Sequence, residues 1–258
     1  SELCKPFFIV FNAWLLSLWV QKPNFPGWLW SLGATVLMSV LLLLQPDIGM
    51  TIVMIFTWGF QLFITGIPLM IIIFLIVAFP IFMILSYNHF SHVKLRIDSF
   101  LDGKTHQISK SLQSFESGGF WGKGPGEGFY KKSLPDAHSD FVFAVAAEEY
   151  GVLLCCLIIT IYGLIVFRSF LLTLRNTNLF FIICVSGLAF QFGFQSLIHM
   201  ASNIDLIPTK GMTLPFLSYG GSSILASAIT AGILLSLTRK NSSLHTLSKQ
   251  ESNKENNQ

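Results

Sequence analysis

Charged residues are too scarce in this sequence for a protein whose whole surface faces water. Only 11% of the 258 residues are charged, whereas soluble domains carry about 25%. The scarcity is also uneven, because no charged residue occurs between Trp28 and Leu44 or between Ile48 and Tyr87. A membrane-spanning helix needs roughly 20 consecutive apolar residues. The sequence therefore excludes a soluble globular fold and predicts an all-α polytopic membrane protein.

Features of two other protein classes are also missing. The formal net charge is only +3, which is too small and too scattered to predict nucleic-acid binding. The four cysteines lie in apolar runs without metal-ligand spacing, so they predict packing residues rather than a disulfide framework.

No signal peptide is visible. The first residues resemble the interior of a helix, so we expect the amino-terminal part of a longer protein to be missing.

Seven apolar segments are predicted to span the membrane. Turn signals separate them, because proline disfavours helix at the residue before it. The segment that begins at Phe141 would be ~48 Å long at 1.5 Å per residue, so we expect it to tilt or to protrude from the bilayer. The predicted spans are roughly 1–20, 28–44, 48–65, 67–87, 141–172, 180–204 and 221–238.

The remaining segments complete the predicted organisation. Residues 1–240 form a transmembrane domain that includes one large polar, glycine-rich loop over 88–140. Residues 241–258 are almost free of apolar side chains and predict a disordered cytoplasmic tail. The charges closest to span ends are Arg168, Arg175, Arg239 and Lys240. The positive-inside rule places that side in the cytoplasm and the long loop outside.

Several polar residues within or beside the spans need an explanation, because a charge costs about 2.5–3.5 kcal/mol at mid-membrane. Glu2 and Lys5 lie on one helix face and can pair. Gln191, Gln195 and His199 form a stripe that suits either interhelical hydrogen bonds or the wall of a polar cavity. The other polar positions are Asp47, a predicted helix N-cap, and Glu148 and Glu149, which would be hydrated if the long helix protrudes.

Three features of the loops leave alternatives open. Asp140 precedes a predicted helix and suits either an N-cap or a functional carboxylate. Alternating glycines from Gly122 to Gly128 surround Lys123 and suit either a phosphate-binding turn or a flexible one. Lys210 lies among prolines and glycines before the last span, as a membrane-surface anchor or an anion binder.

Four motifs together resemble the SEDS family, the shape, elongation, division and sporulation proteins. Ser1 to Lys5 looks like the end of its P-S-E-x-x-K motif, and Gln45 to Gly49 matches Q-P-D-x-G. The segment from Leu134 to Gly151 matches L-P-x-A-H-[TS]-D-F followed by E-E-x-G. Pro208 to Ser223 matches P-T-K-G-x-T-L-P-x-x-S-Y-G-G-S-S, in wording most similar to the division branch. The resemblance implies ten helices, of which the seven spans are helices four to ten.

The resemblance also implies an activity and a site. The family polymerises lipid II, a disaccharide on an undecaprenyl diphosphate, into glycan strands. Asp140 would be the catalytic base, with a divalent cation, Mg²⁺ or Mn²⁺, near it, and Lys123 and Lys210 would stabilise the leaving diphosphate. The residues assigned to substrate binding on this basis are Glu2, Lys5, Lys123, His138, Gln195, Lys210 and Ser222.

Partners and location follow from the same resemblance. We expect a class B penicillin-binding protein and other divisome proteins as partners. The expected location is the bacterial cytoplasmic (inner) membrane at the division septum. Two alternatives to the glycosyltransferase stay open at this point. One is a transporter that flips lipid II, and the other is an inactive truncated remnant that still binds a division partner.

Overall fold

The helical parts of the chain are described by a computed structural model. The fourth predicted span, 67–87, and the predicted tail, 241–258, lie almost entirely outside the described residues. The described residues are 2–22, 24–45, 47–66, 84, 87–89, 94–95, 97–98, 106–134, 136–208 and 211–239.

Seven α-helices and one short 3₁₀ turn have defined bounds within the described residues, and no strand occurs among those residues. Five of the helices are long and apolar enough to cross a membrane, and α3 is slightly shorter. The prediction of an all-α polytopic membrane protein is confirmed. The helices are α1 (Cys4–Gln21), α2 (Gly27–Leu44), α3 (Ile48–Ile64), α4 (His106–Gly118), α5 (Val142–Thr173), α6 (Leu179–Asn203) and α7 (Gly221–Thr238), with the 3₁₀ turn at Tyr130–Ser133.

Helix α6 is the centre of the bundle. It packs against α1, α3, α5 and α7, and its apolar side chains form a core with α1 and α3. That core includes Ile9, Leu16, Met54, Ile183 and Leu188, all fully buried. The outward faces of the peripheral helices expose large apolar side chains such as Leu37, Phe167 and Leu235. These faces suit contact with lipid, because lipid chains are as apolar as the side chains themselves.

The sequence motifs converge at one end of the bundle. The amino ends of α1 and α5 meet the carboxyl-terminal part of α6 there through side-chain hydrogen bonds, and the amino end of α7 bonds to the α6–α7 loop, as described below. At the amino end of α3, the Asp47 carboxylate accepts a hydrogen bond from Met50 N at 3.0 Å, which confirms the predicted N-cap. Lys22, Arg175 and Arg239 follow the opposite ends of α1, α5 and α7. The motif end is therefore the end predicted to face outward.

A buried carboxylate attaches the long loop to α5. Glu148 is fully buried and accepts hydrogen bonds from the backbone N–H groups of Phe129, Tyr130 and Lys131 at 2.6, 2.9 and 3.0 Å. The Lys131 ammonium pairs with Glu149. We call this set of contacts the Glu148 clamp. The expectation that Glu148 is hydrated is wrong, because three backbone donors replace the water around it.

A break in α5 lies next to the Glu148 clamp. Gly151 has φ +75° and interrupts the helical backbone, in a region that only glycine adopts freely. An added Cβ there would lie 2.3 Å from the Phe120 carbonyl oxygen. The loop therefore approaches α5 so closely at this point that no side chain fits between them.

Candidate functional site

A polar network connects α1 to α6 inside the bundle. Lys5 is 3% exposed, pairs with Glu2 and donates from Nζ to Gln195 Oε1 at 2.7 Å. Gln191 Nε2 donates to the same Gln195 oxygen at 2.8 Å. The predicted Glu2–Lys5 ion pair is thus confirmed. It is part of a larger cluster that we call the Lys5 network, defined by Glu2, Lys5, Gln191 and Gln195.

The loop between α6 and α7 rests on this network through its backbone. Gln195 Nε2 donates to the Thr213 carbonyl oxygen at 2.8 Å, and His199 Nδ1 bonds the Met212 carbonyl oxygen at 2.7 Å. Thr213 Oγ1 donates to Glu2 Oε1 at 3.4 Å. The polar stripe of α6 therefore makes the hydrogen bonds that one of its two predicted interpretations required. Its partners are Lys5 of the membrane helix α1 and the backbone of the α6–α7 loop.

Asp140 lies at the start of α5, beside the α6–α7 loop that the Lys5 network binds. Its side chain is half-buried, and a Cβ added to Gly211 would lie 3.3 Å from Asp140 Oδ2. The N-cap residue of α5 is Phe141, one position later, so Asp140 is not the N-cap residue. The Asp140 carboxylate consequently faces the backbone of the α6–α7 loop at a glycine, where a side chain would crowd it.

Two further contacts join the segment before α5 to the loop before α7. Ser218 Oγ donates to the Ser139 carbonyl oxygen at 2.6 Å and accepts from Leu214 N at 2.7 Å. Tyr219 N donates to the His138 carbonyl oxygen at 2.8 Å. The motif from Leu134 to Gly151 and the motif from Pro208 to Ser223 thus form one surface, because these hydrogen bonds join their backbones.

The structure brings some of the sequence-predicted site residues together and leaves others apart. Glu2, Lys5 and Gln195 lie together in the Lys5 network, and Asp140 lies at the adjoining loop. The side chains of His138 and Ser222 are exposed, and only the backbone of His138 takes part in the contacts above. Lys210 lies outside the described residues.

Lys123 lies on the glycine-rich loop, exposed to solvent. Its Nζ is 5.7 Å from the centre of the Tyr130 ring, a distance at which a cation is attracted to the ring face. The neighbouring amides are occupied, since Lys123 N donates to the Glu148 carbonyl and Gly124 N to the Glu149 carbonyl, both at 3.0 Å. Since these two amides already have partners, they do not support the phosphate-binding turn, which was one of the two interpretations of the alternating glycines.

Sequence reasoning missed three residues of this site. Thr213 and Ser223 form a hydrogen-bonded pair at 2.7 Å that extends the Lys5 network to α7. Ser223 is 3% exposed, and its recurrence with Ala226, Ser227 and Thr230 on the buried face of α7 was a signal that favoured it over Ser222. Asn203, fully buried at the end of α6, carried no such signal.

No group of three or more His, Cys, Asp or Glu side chains that could hold a metal ion occurs in the described part of the chain. Mg²⁺, however, is commonly bound by one or two carboxylates together with substrate phosphates. A single carboxylate such as Asp140 could bind Mg²⁺ together with substrate phosphates. It could not form a metal site from protein ligands alone.

The helical bundle, with its lipid-suited outer faces and its buried polar network, defines a multi-pass membrane protein. Residues 1–243 match the family FtsW/RodA/SpoVE, described as cell cycle proteins. The chain therefore belongs to this family, as its motifs indicated.

Individual relatives agree with this assignment. The chain is 37% identical to the probable peptidoglycan glycosyltransferase FtsW of Caulobacter vibrioides, over 93% of this chain and 62% of that protein. It is 34% identical to the protein of the same description from Aliivibrio salmonicida, over 83% of this chain and 56% of that protein. The chain thus spans less than two thirds of the length of these relatives.

Solved structures show the same fold. A structure of a peptidoglycan synthase complex that coordinates polymerization and crosslinking matches 81% of this chain and 61% of its own chain, with 28% identity and a TM-score of 0.67. The rod shape determining protein RodA of Thermus thermophilus matches 93% of this chain and 65% of its own, with 28% identity and a TM-score of 0.60.

Proposed function

We propose that the protein to which this chain belongs is a peptidoglycan glycosyltransferase that polymerises lipid II during cell division. The observation that carries the proposal is the position of Asp140. Its carboxylate lies against Gly211, at the end of the bundle that is predicted to form the outer membrane rim, and the Lys5 network binds the same loop from the interior. A lipid-linked sugar needs its lipid among the helices and its head group at such a rim.

The proposed reaction is a direct displacement at the donor sugar. Asp140 accepts the proton of the acceptor's hydroxyl group as that oxygen attacks the donor's anomeric carbon, and a positioned base contributes typically 10²–10⁴-fold to the rate. The new C–O bond forms as the bond to the lipid diphosphate breaks, so the anomeric configuration is inverted. The diphosphate leaves with its electron pair and with developing negative charge, which nearby cations stabilise.

The other predicted residues have supporting roles in this proposal. Lys123 and Lys210 are the candidate cations for the diphosphate, and Glu2, Lys5, Gln195, His138 and Ser222 are the candidate substrate contacts. A divalent cation, Mg²⁺ or Mn²⁺, held by Asp140 and the substrate phosphates would supply further charge neutralisation.

The proposal includes the location and the partners. The protein would act at the outer face of the bacterial cytoplasmic membrane, at the septum, together with a class B penicillin-binding protein and other divisome proteins. Affinity purification of the full-length protein from dividing cells should recover a transpeptidase of that class. Failure to recover it under conditions that retain other membrane complexes would count against this part of the proposal.

The central test uses the full-length protein with its partner in liposomes, supplied with labelled lipid II. We expect polymer from the unsubstituted protein and a loss of about 10²-fold or more in Asp140→Asn, because the amide cannot accept the proton. Asp136→Asn is the matched control. It makes the same change four residues upstream, where the side chain is exposed and the backbone has φ +54°, which asparagine tolerates.

The alternative functions give different results in the same assay. Equal polymer from Asp140→Asn and the unsubstituted protein would exclude Asp140 as the base. No polymer, combined with movement of lipid II across the bilayer, would identify a transporter. No polymer and no movement, with the partner still bound, would identify an inactive binding protein.

A further inference from the structure

Asn203 is the last residue of α6, and its side chain forms hydrogen bonds to two helices. It is fully buried. Nδ2 donates to the Asp140 carbonyl oxygen at 3.0 Å and to the His199 carbonyl oxygen at 2.9 Å. Oδ1 accepts from Ala144 N at 3.2 Å. The one amide therefore contacts the backbone on both sides of the start of α5.

These bonds replace an ordinary helix cap. The first four N–H groups of a helix have no partner within it, and the N-cap residue of α5, Phe141, makes no side-chain capping bond. Asn203 supplies the acceptor for Ala144 N instead, from a different helix. At the same time it donates to the carbonyl of Asp140. An asparagine amide can do both because it carries a donor and an acceptor, whereas an ionised aspartate only accepts.

The backbone of Asn203 adds a connection to a third helix, α4. Its carbonyl oxygen accepts from Ser111 Oγ at 2.6 Å, and Ser111 is fully buried on α4. The helix of the long loop, the start of α5 and the end of α6 therefore meet at a single residue. A change in any of the three would be transmitted to the peptide that carries Asp140.

We infer that Asn203 is a positioning residue for Asp140, which it orients by fixing the peptide plane that follows that residue. The inference rests on the proposed function, in which Asp140 is the base. With its carbonyl held by Asn203 and its N–H bonded to the Asp136 carbonyl at 3.0 Å, Asp140 has both backbone groups fixed. Its carboxylate is thereby directed towards Gly211. Misplacement of a reacting group by about 1 Å can cost 10²-fold in rate.

The test compares two fully buried asparagines. Asn203→Ala removes the three side-chain bonds of Asn203. Asn12→Ala removes a buried bond from Ser31 within the α1–α2 contact, seven residues after Lys5 in α1. Both variants are measured in the full-length protein for thermal stability, for KM and kcat with labelled lipid II, and for hydrogen exchange of the peptide that contains Ala144. Asn203→Asp is added because it retains an acceptor for Ala144 N and lacks the donor for the Asp140 carbonyl.

We expect Asn203→Ala to lower kcat by about 10–10²-fold with less than about a threefold change in KM, and to speed exchange at Ala144. Asn203→Asp should restore protection of Ala144 without restoring kcat. Asn12→Ala should lower the Tm with kcat unchanged. In an Asp140→Asn background, Asn203→Ala should cause no further loss, because a residue that acts through Asp140 has nothing left to orient.

Several results would overturn the inference. One is a normal kcat in Asn203→Ala while Asp140→Asn is inactive. A second is an equal loss of kcat in Asn12→Ala, and a third is recovery of kcat in Asn203→Asp. An active Asp140→Asn variant, or no polymer from the unsubstituted protein, would instead overturn the proposed function, and the inference with it.

Discussion

Two carboxylates in this protein, Glu148 and Glu2, have different kinds of partners. Glu148 is fully buried and accepts from three backbone N–H groups. Glu2 is bonded to the side chains of Lys5 and Thr213, and its own side chain keeps 15% exposure. Backbone donors cannot leave Glu148 unless the loop unfolds, whereas side chains can rotate away from Glu2. The Glu148 clamp therefore has a structural role. In the Lys5 network, by contrast, a side chain can release its present hydrogen-bond partner and bind a ligand.

The largest expected effect is the loss of stability when the Glu148 clamp is removed. Glu148→Ala leaves three backbone donors without their acceptor, and each buried unpaired donor costs about 1–3 kcal/mol. We expect a loss of stability of at least about 3 kcal/mol, measured by thermal unfolding in detergent. Glu149→Ala is the control. It removes only a partly exposed pair with Lys131, worth about 1 kcal/mol or less. Equal losses of stability in Glu148→Ala and Glu149→Ala would show that the backbone bonds to Glu148 have no special structural role.

A second expected effect concerns the break next to the clamp. Gly151→Ala forces a side chain into a glycine conformation at about 1–3 kcal/mol and against the Phe120 carbonyl. We expect a lower Tm and faster proteolysis of the glycine-rich loop. Gly163→Ala, in the same helix, meets no atom within 4 Å and should be neutral or stabilising. A destabilised Gly163→Ala variant would show that α5 tolerates no added methyl group, whatever the local space.

The smallest expected effect lies in the Lys5 network. Ser223→Ala removes the hydrogen bond to Thr213, worth about 0.5–1.5 kcal/mol, and leaves Thr213 to change its contact with Glu2. We expect a small loss of stability with a measurable fall in polymerisation. Ser222→Ala, at an exposed position, should change stability by less than about 0.5 kcal/mol. A larger fall in polymerisation from Ser222→Ala than from Ser223→Ala would favour Ser222 over Ser223 as the serine that contacts the substrate.

The fold was predictable where the chain itself carries the signal. Charge-free runs and turn residues placed α2 at 28–44 and α3 at 48–65, within one residue of the observed bounds. Helix α4 was missed inside the predicted loop because its buried positions include serines, Ser111 and Ser114. Hydropathy does not detect a helix whose buried face is polar.

The site was predictable to a lesser extent. The i, i+3 spacing of Glu2 and Lys5 predicted their ion pair, because helical geometry alone brings them together. Asn203 and Glu148 depend instead on contacts with backbone groups 59 and about 18 residues away in the chain. No local pattern encodes such contacts, and so their roles emerged only from the folded arrangement.

The break at Gly151 changes the length that α5 presents to the bilayer. As a continuous rod its 32 residues would exceed the hydrocarbon thickness by more than half. The part after the break is about 33 Å long at 1.5 Å per residue, which matches a core of about 30 Å. The nine residues before it form a separate shelf that supports the loop. A thicker or thinner bilayer would therefore change the tilt of the membrane-spanning part after Gly151. Because the helix is interrupted at Gly151, the short part that follows Asp140 would not have to tilt with it.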